Sequence, residues 1–455
     1  MSQPDGQGSG MSRTELRTAL SLSSVYAMRM LGLFMILPVF ALYAVDLEGV
    51  TPALTGLAIG AYGLTQALLQ IPAGMLSDRV GRKPVIIGGL LIFAGGSAVA
   101  ALADSIYVVS LGRALQGAGA IAAVVMALTA DLTREEHRIK AMALIGMSIG
   151  LAFAASLILG PVLNEWVGVP GIFWLTALLA LAGILVVTVI VPQPLETRMH
   201  REAEAVPAQF SRVLRLPDLL RLDFGILVLH AIITATFVVM PLILRDQAGV
   251  PAAEHWKIYL TVLICSVLAM LPFIMRAGRK GQAKPVFVFA IVLLGLSELG
   301  LYFIPITLVS VVVLLFVFFT AFNLLEAMLP SLVSRVAPVD CRGTAMGFYS
   351  SAQFLGAFLG GSLGGVLHGL YGLQSIFLGG ALLVLVWVFV AASMSTPSRL
   401  STYIYKVGIQ GPEDAARWSR ELASLEGVSE AVVVPEEGVA YLKVDKQVFN
   451  EASLP

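Results

Sequence analysis

The sequence predicts an all-α polytopic membrane protein, with twelve transmembrane helices in two six-helix bundles, followed by a small α+β cytoplasmic domain. Three observations carry this expectation. Hydrophobic residues make up 58% of the 455 and charged residues only 13%, a balance that requires lipid rather than water as the main solvent. The apolar residues fall into about twelve runs, each near the length that crosses a bilayer. The basic residues collect in alternate loops, the asymmetry that sets orientation in a membrane.

The first apolar run, 20–45, follows a polar N-terminus. It is too long for a removable signal peptide and carries no cleavage site. The first half continues with runs at 54–76, 85–103, 106–130, 140–163 and 171–191. Residues 192–220 are polar and punctuated by Pro192, Pro194, Pro207 and Pro217, which reads as a linker with a short surface helix. The second half offers 222–244, 257–276, 285–304, 307–334, 343–368 and 373–395. The expected domains are therefore a first bundle at 1–191, a linker at 192–220, a second bundle at 221–396 and a cytoplasmic domain at 397–455.

Arg13 and Arg17, then Arg79, Arg82 and Lys83, then Arg134, Arg138 and Lys140 lie on one face. Arg198, Arg201, Arg212, Arg215 and Arg221 join them, as do Arg276, Arg279, Lys280, Lys284, Arg335 and Arg342. Opposing loops hold little beyond Arg245 and Lys257 and are rich in Asp46, Glu48, Asp104, Glu165, Asp246 and Glu254. The positive-inside rule then places both termini in the cytoplasm.

The most informative stretch is Gly74 to Pro84, GMLSDRVGRKP, which concentrates Asp78, Arg79, Arg82 and Lys83 between two apolar runs. Asp78 can accept hydrogen bonds from the free N–H groups at a helix N-terminus. Gly74 and Gly81 permit close helix approach and a tight turn. A latch between moving helices fits this chemistry, and so does an ordinary basic membrane loop. The stretch Arg276–Lys284 occupies the equivalent place in the second half but lacks the acidic residue.

Arg29 and Arg113 stand inside apolar spans, where a charge costs about 2.5–3.5 kcal/mol. Each should face a polar partner. Arg113, in GRALQGAG, could respond to proton binding on a nearby acid or form a buried structural ion pair. The candidate acids are Asp46 near the end of the first run, Glu298 and Glu326. Glu326 lies close to Asn323 on one helix face. His230 has a titration range suited to switching but equally suits a helix–helix hydrogen bond.

Tyr62, Gln66 and Gln70 recur every fourth residue and line one face. With Arg29, His230, Asn323 and Gln353 they could furnish a substrate cavity whose apolar contacts are Phe34, Met35, Phe322 and Phe354. The glutamines could instead bind neighbouring helices. Small faces suited to helix packing occur at Gly146 and Gly150, at Gly160-Pro161, where a bend or end is expected, and at Gly356 and Gly360.

Cys265 and Cys341 have no metal-ligand spacing and no disulfide framework. No cofactor or metal is expected. No basic tract pairs with aromatics, so nucleic acid is not an expected partner. GRKGQAKP lacks the full phosphate-loop spacing. No nucleophile–base set sits at an aqueous site, so the chain does not read as an enzyme.

From Tyr403 onward YIYKVGI reads as a strand, 412–425 as an amphipathic helix, and EAVVVPE and VAYLKVD as two more strands, with a short final helix after them. This βαββ order resembles part of a ferredoxin-like domain. The tail could bind the inner loops, bind a ligand, promote self-association or act as a solubilising cap.

Residues 20–395 resemble the Major Facilitator Superfamily and, within it, YajR-like transporters. Gly74, Leu76, Asp78, Arg79, Gly81, Arg82 and Lys83 match the family's loop signature. Arg113, Gln116, Gly117 and Gly119 resemble its proton-coupling motif, while Gly146, Gly150, Gly160 and Pro161 resemble its antiporter motif, with Asn164 and Glu165 departing from it. The resemblance implies a bacterial inner-membrane transporter that exchanges protons for a small organic or amphipathic solute by alternating access. It also implies that Arg82 pairs with Asp131 and that Asp78 caps the helix starting near Gly343, contacts that together favour the state closed to the cytoplasm. Uptake by symport and a membrane sensor signalling through the tail are the alternatives.

Overall fold

The computed structural model describes residues 11–193, 206–279, 281–338, 341–395, 401–407, 412–434, 438–445, 448–450 and 454. Arg198, Arg201 and Lys280 lie outside these residues, as does most of the stretch expected to form the final helix; its described residues 448–450 and 454 are not helical. Helix α1 (Arg13–Phe34) begins ahead of the apolar run because Ser12 and Glu15 cap it reciprocally. The Ser12 hydroxyl accepts from the Glu15 N–H at 3.2 Å, and the Glu15 carboxylate accepts from the Ser12 N–H at 2.7 Å. The single helix expected over 20–45 is broken after α1 and resumes as α2 (Phe40–Ala44). Pro38, in the break, lacks the N–H that a helix interior needs.

Helix α3 (Pro52–Val80) opens on the Thr51 hydroxyl, which accepts from the Leu54 N–H, with proline at its first position. Helix α4 (Arg82–Ala101) follows after Gly81 alone. That residue has φ 102°, a conformation that a side chain would strain.

The fourth run is two helices, α5 (Ile106–Ala118) and α6 (Ala122–Asp131), rather than one. The break falls where Gly119 crosses against the Gly89 carbonyl. The fifth and sixth runs form α7 (Glu135–Val189), whose helical geometry fails at Gly168, φ 66°. Pro161, expected to bend or end the fifth helix, stays inside the helical run, and the turn falls at Gly168.

The linker contributes a 3-10 turn at Pro207–Gln209 and the short α8 (Phe210–Val213). The second half comprises α9 (Pro217–Asp246), α10 (His255–Ala277), α11 (Ala283–Phe303), α12 (Leu308–Val336), α13 (Arg342–Tyr371) and α14 (Ser375–Ala392). Among the described residues, ten helical stretches are long and apolar enough to cross a membrane, with Lys140–Val189 counted as one. Helix α1 is not among them; its first turns are polar.

Helix α13 lies between α3 and α9, and glycine backbones make both seams. A Cβ on Gly56 would strike the Gly361 carbonyl, and one on Gly360 would strike the Ala231 carbonyl. Such contact lets dispersion act over whole helix faces, which is the main attraction left between helices in lipid.

The cores are distributed unevenly. One apolar cluster fills the second half and takes in Met35, Phe40 and Ala44, Ile59, Ala101 and Ile106 from one end of the first half. The remainder of the first half, from Leu22 to Leu33 and through Ile86, Val125, Ile145 and Val187, forms a separate cluster. The halves are thus welded at the end holding the loops around residues 45–51 and 102–105.

One contact recurs in both halves: the Lys83 ammonium donates to the Val191 carbonyl, and Lys284 donates to the carbonyls of Ala392 and Met394. Each lysine therefore caps the C-terminal end of its half's last helix, where carbonyls are free and the helix dipole is negative.

The tail is a three-stranded antiparallel sheet, β1 (Ser401–Lys406), β2 (Val428–Val434) and β3 (Val439–Val444), in the order β1-β3-β2. Helix α15 (Pro412–Ala423) supplies Leu422 to a small core with Val407, Ala440, Leu442 and Val444. The Lys443 ammonium donates to the Ala337 carbonyl at the end of α12, 3.0 Å away.

Candidate functional site

Arg82, in the first turn of α4, reaches back across the Gly81 turn. Its Nε donates to Asp131 Oδ2 at 3.1 Å and its Nη1 to Ser77 Oγ at 2.7 Å, and it pairs with Asp78 one helical turn before it. The side chains of Arg82 and Asp131 are 1% and 0% exposed, against 31% for Asp78. A buried guanidinium needs such partners, because an uncompensated one at this depth is strongly destabilising.

In this conformation Asp78 does not cap α13. Helix α13 begins at Arg342, where the N-cap residue Cys341 makes no side-chain cap, and the Asp78 carboxylate is turned to Arg82 on its own side of the loop. Arg79 is exposed, and Gly74 lets α3 approach Ala123 of α6 at 3.4 Å from where a Cβ would stand.

Deeper in the first half is a polar network with both arginines in it. Arg29 Nη2 donates to Gln66 Oε1 at 2.6 Å, and Arg113 Nη1 donates to Gln116 Oε1 at 2.8 Å. Gln116 Nε2 in turn donates to Ser97 Oγ at 2.8 Å. The two guanidinium carbons lie 5.6 and 5.5 Å from the centroid of the same Tyr62 ring, and Arg29 is also 5.5 Å from that of Phe93. Such contacts offset part of the desolvation of a buried cation. Arg29, Gln66, Arg113, Gln116 and Ser97 are all buried to within 1%.

A second group belongs to the other half. Gln353 Nε2 lies 2.8 Å from His230 Nε2, and Glu326 Oε2 approaches that same imidazole nitrogen at 4.0 Å. The Glu326 side chain is 38% exposed. Aromatic rings join the two groups. Tyr62 packs on Phe354 at 6.0 Å, and Phe34, Phe153, Phe322 and His230 form a chain with centroid separations of 5.1, 6.0 and 6.1 Å.

The remaining candidates disperse. Gln70 Nε2 donates to Ser351 Oγ at 2.8 Å, linking α3 to α13, and Asn323 Nδ2 donates to Ser266 Oγ at 3.1 Å, linking α12 to α10. Glu298 is buried on α11, where a Cβ on Gly380 of α14 would strike its carboxylate. Asp46 is exposed in the turn after α2. Neither acid contacts Arg113.

Gly160 and Gly356 pack against the carbonyls of Met35 and Leu227, as Gly360 does against Ala231. Gly146 and Gly150 are exposed with nothing within 4 Å of an added Cβ, so the close packing expected of them is not made in this conformation.

The sequence profile of the Major Facilitator Superfamily matches residues 22–361 and 260–404. The chain is 47% identical over 440 residues to the inner membrane transport protein YajR of Escherichia coli (strain K12), covering 97% of this chain and 96% of that one. The chain belongs to the Major Facilitator Superfamily. It is a multi-pass secondary transporter.

A more distant relative of this transporter is the multidrug resistance protein MdtH of Aeromonas salmonicida (strain A449), 28% identical over 77% of this chain and 89% of that one. The fold matches the crystal structure of a bacterial homolog of the human lysosomal transporter Spinster in an inward-facing, occupied conformation. The TM-score is 0.68 at 13% identity, over 85% of this chain and 98% of that one.

Several of the transporter's polar contacts had no signal in the sequence. Ser97 sits in an apolar run with no polar neighbour at helical spacing, and Phe153 looks like any lipid-facing ring. Asp223, at the start of α9, and Tyr349 of α13 have buried oxygens without hydrogen-bond partners. Asp223 could have been noticed as a third acid of the second half, near the start of its first span.

Proposed function

We propose that the protein is a proton-coupled antiporter of the bacterial inner membrane that exports a small organic or amphipathic solute by alternating access. Twelve crossings follow if α1–α2 and α5–α6 each count once and α7 is divided at Gly168. Two six-helix bundles then flank the linker, and the positive-inside rule puts both termini and the tail in the cytoplasm. The welded loop end is the outer one in this reading, so the molecule is open inward. The tail's strand order fits half of a ferredoxin-like fold.

The observation that carries the proton coupling is the Glu326–His230 pair. It is a carboxyl beside an imidazole on facing helices, joined through Phe322 and Phe153 to the other bundle. Protonation there and cargo binding can bias one conformational equilibrium, which is what coupling requires. Arg113 and its network supply the facing positive charge, and Arg82 with Asp78 and Asp131 forms a latch whose arrangement differs between the two states.

The test uses the purified protein in proteoliposomes loaded with a pH-sensitive dye, an imposed proton gradient and a chemically varied solute panel. Solute-dependent proton flux opposite to solute movement, lost in Glu326→Gln, is the expected outcome. Co-directional flux would replace antiport by symport. Solute binding with no movement would point to a sensor, and solute-independent conduction would end the carrier reading.

A further inference from the structure

The two halves carry opposite charge at bilayer depth. Within the spans of the first half the interior charges are Arg29 and Arg113, with no carboxylate. Its acids lie at the span ends: Asp78 and Asp131 on Arg82, Glu15 on Arg134, and Asp46 exposed after α2. The second half holds Glu298 and Glu326 inside its spans, with Asp223 near the start of α9, and no arginine or lysine except at span ends.

Among the described residues no carboxylate contacts either buried guanidinium. Arg29 Nε and Nη1, Arg113 Nε and Gln66 Nε2 are fully buried donors without an acceptor. Both cations lie within 5.6 Å of the centroid of one Tyr62 ring, so two like charges and four unmet N–H-bearing nitrogens are gathered around it. Neutral glutamines and an aromatic face do not compensate that arrangement, whereas a bound oxyanion would satisfy both charge and donors. Phe93, Phe354 and Tyr62 supply flat apolar surface around it.

We propose that Arg29, Arg113 and Gln66 bind the acidic head of the cargo, which makes the transported solute an organic oxyanion such as a carboxylate. This rests on the transporter reading and narrows its cargo. The proton site in the second bundle is then separate from the anion site in the first, and the aromatic contacts of Tyr62 with Phe354 couple them.

The test is equilibrium binding to the full-length protein in detergent, read as the shift of its thermal unfolding midpoint at fixed ionic strength and without a gradient. The probes are benzoate, benzamide and benzylammonium, which share a body and differ in charge, with sodium chloride as the inorganic control. Benzoate alone should raise the midpoint. Arg29→Gln and Arg113→Gln should each weaken benzoate at least about tenfold, the usual cost of losing a charged hydrogen bond. Arg29→Lys, which keeps the charge but loses the planar fork, should fall between.

Monodispersity of each variant by size-exclusion chromatography separates a lost site from a lost fold. If the glutamine variants do not fold, Arg29→Lys carries the comparison. No response to benzoate, an equal response to benzamide or chloride, a preference for benzylammonium, or unweakened benzoate binding in the folded variants would each overturn the proposal. Binding is measured without proton flux, so failure of the antiport reading in Glu326→Gln vesicles leaves this result standing, and the reverse also holds.

Discussion

Arg82 shows how far one side chain's role depends on depth. Its partner Asp131 is wholly buried, while Asp78 is a third exposed, so the first pair is held in a low dielectric and the second is screened by water. Conformational change can therefore exchange the Asp78 contact at small cost while Arg82–Asp131 persists.

Glu15 offers a cleaner titration, because it lies in the polar first turn of α1, ahead of the membrane. The Arg134 side chain, with Nε 3.0 Å from Glu15 Oε1, lowers the carboxyl from 4.5 to about 2, against the opposing effect of its burial. A depressed value in the folded state adds stability above the unfolded value, and that contribution disappears as pH falls from 4.5 through about 2. The unfolding midpoint of Glu15→Gln should then trail the parent by a constant margin above about pH 5, and the two curves should converge as the pH nears 2. A margin that does not narrow in acid would remove Arg134 as the cause.

At the scale of elements, the α3–α13 and α13–α9 seams are built on backbone contact. Gly56→Ala would drive a methyl into the Gly361 carbonyl and should cost about 1–3 kcal/mol, the usual range for overpacking. Gly146→Ala, with open space at its Cβ, should change stability by less than about 0.5 kcal/mol. Reversible unfolding of the two variants side by side checks both. Equal losses would mean that α7 packs in the ground state where no contact is seen. The linker belongs to the same region, since the Thr344 hydroxyl is 2.9 Å from Gln209 Oε1 and Phe210 packs edge-on against Phe348 at 5.2 Å. It grips the start of α13, the helix shared by both seams.

For the whole molecule, the tail meets the membrane part where Lys443 caps the free carbonyl end of α12, the helix that carries Glu326. A domain attached there can bias the position of α12. Removing residues 401–455, or replacing Lys443 by Ala, should shift the pH dependence of solute transport in vesicles while leaving membrane insertion intact. Unchanged transport and pH profile in both would leave the tail as a solubilising cap.

The sequence by itself determined that lipid is the solvent, where the long apolar runs lie, and that a βαββ tail follows. These are consequences of composition, periodicity and local turn chemistry, which act over a few residues. Only the tertiary structure decided that the first run breaks at Pro38, that the turn in α7 falls at Gly168 rather than Pro161, and that Asp78 faces Arg82 instead of capping α13. It also decided that Gly56 packs where Gly146 does not, and that Arg29 and Arg113 converge on Tyr62 without a carboxylate. The reason is distance along the chain: Gln66 is 37 residues from Arg29, and Gln70 is 281 from Ser351. In lipid, small faces and polar groups look alike in sequence until helix packing selects which of them touch.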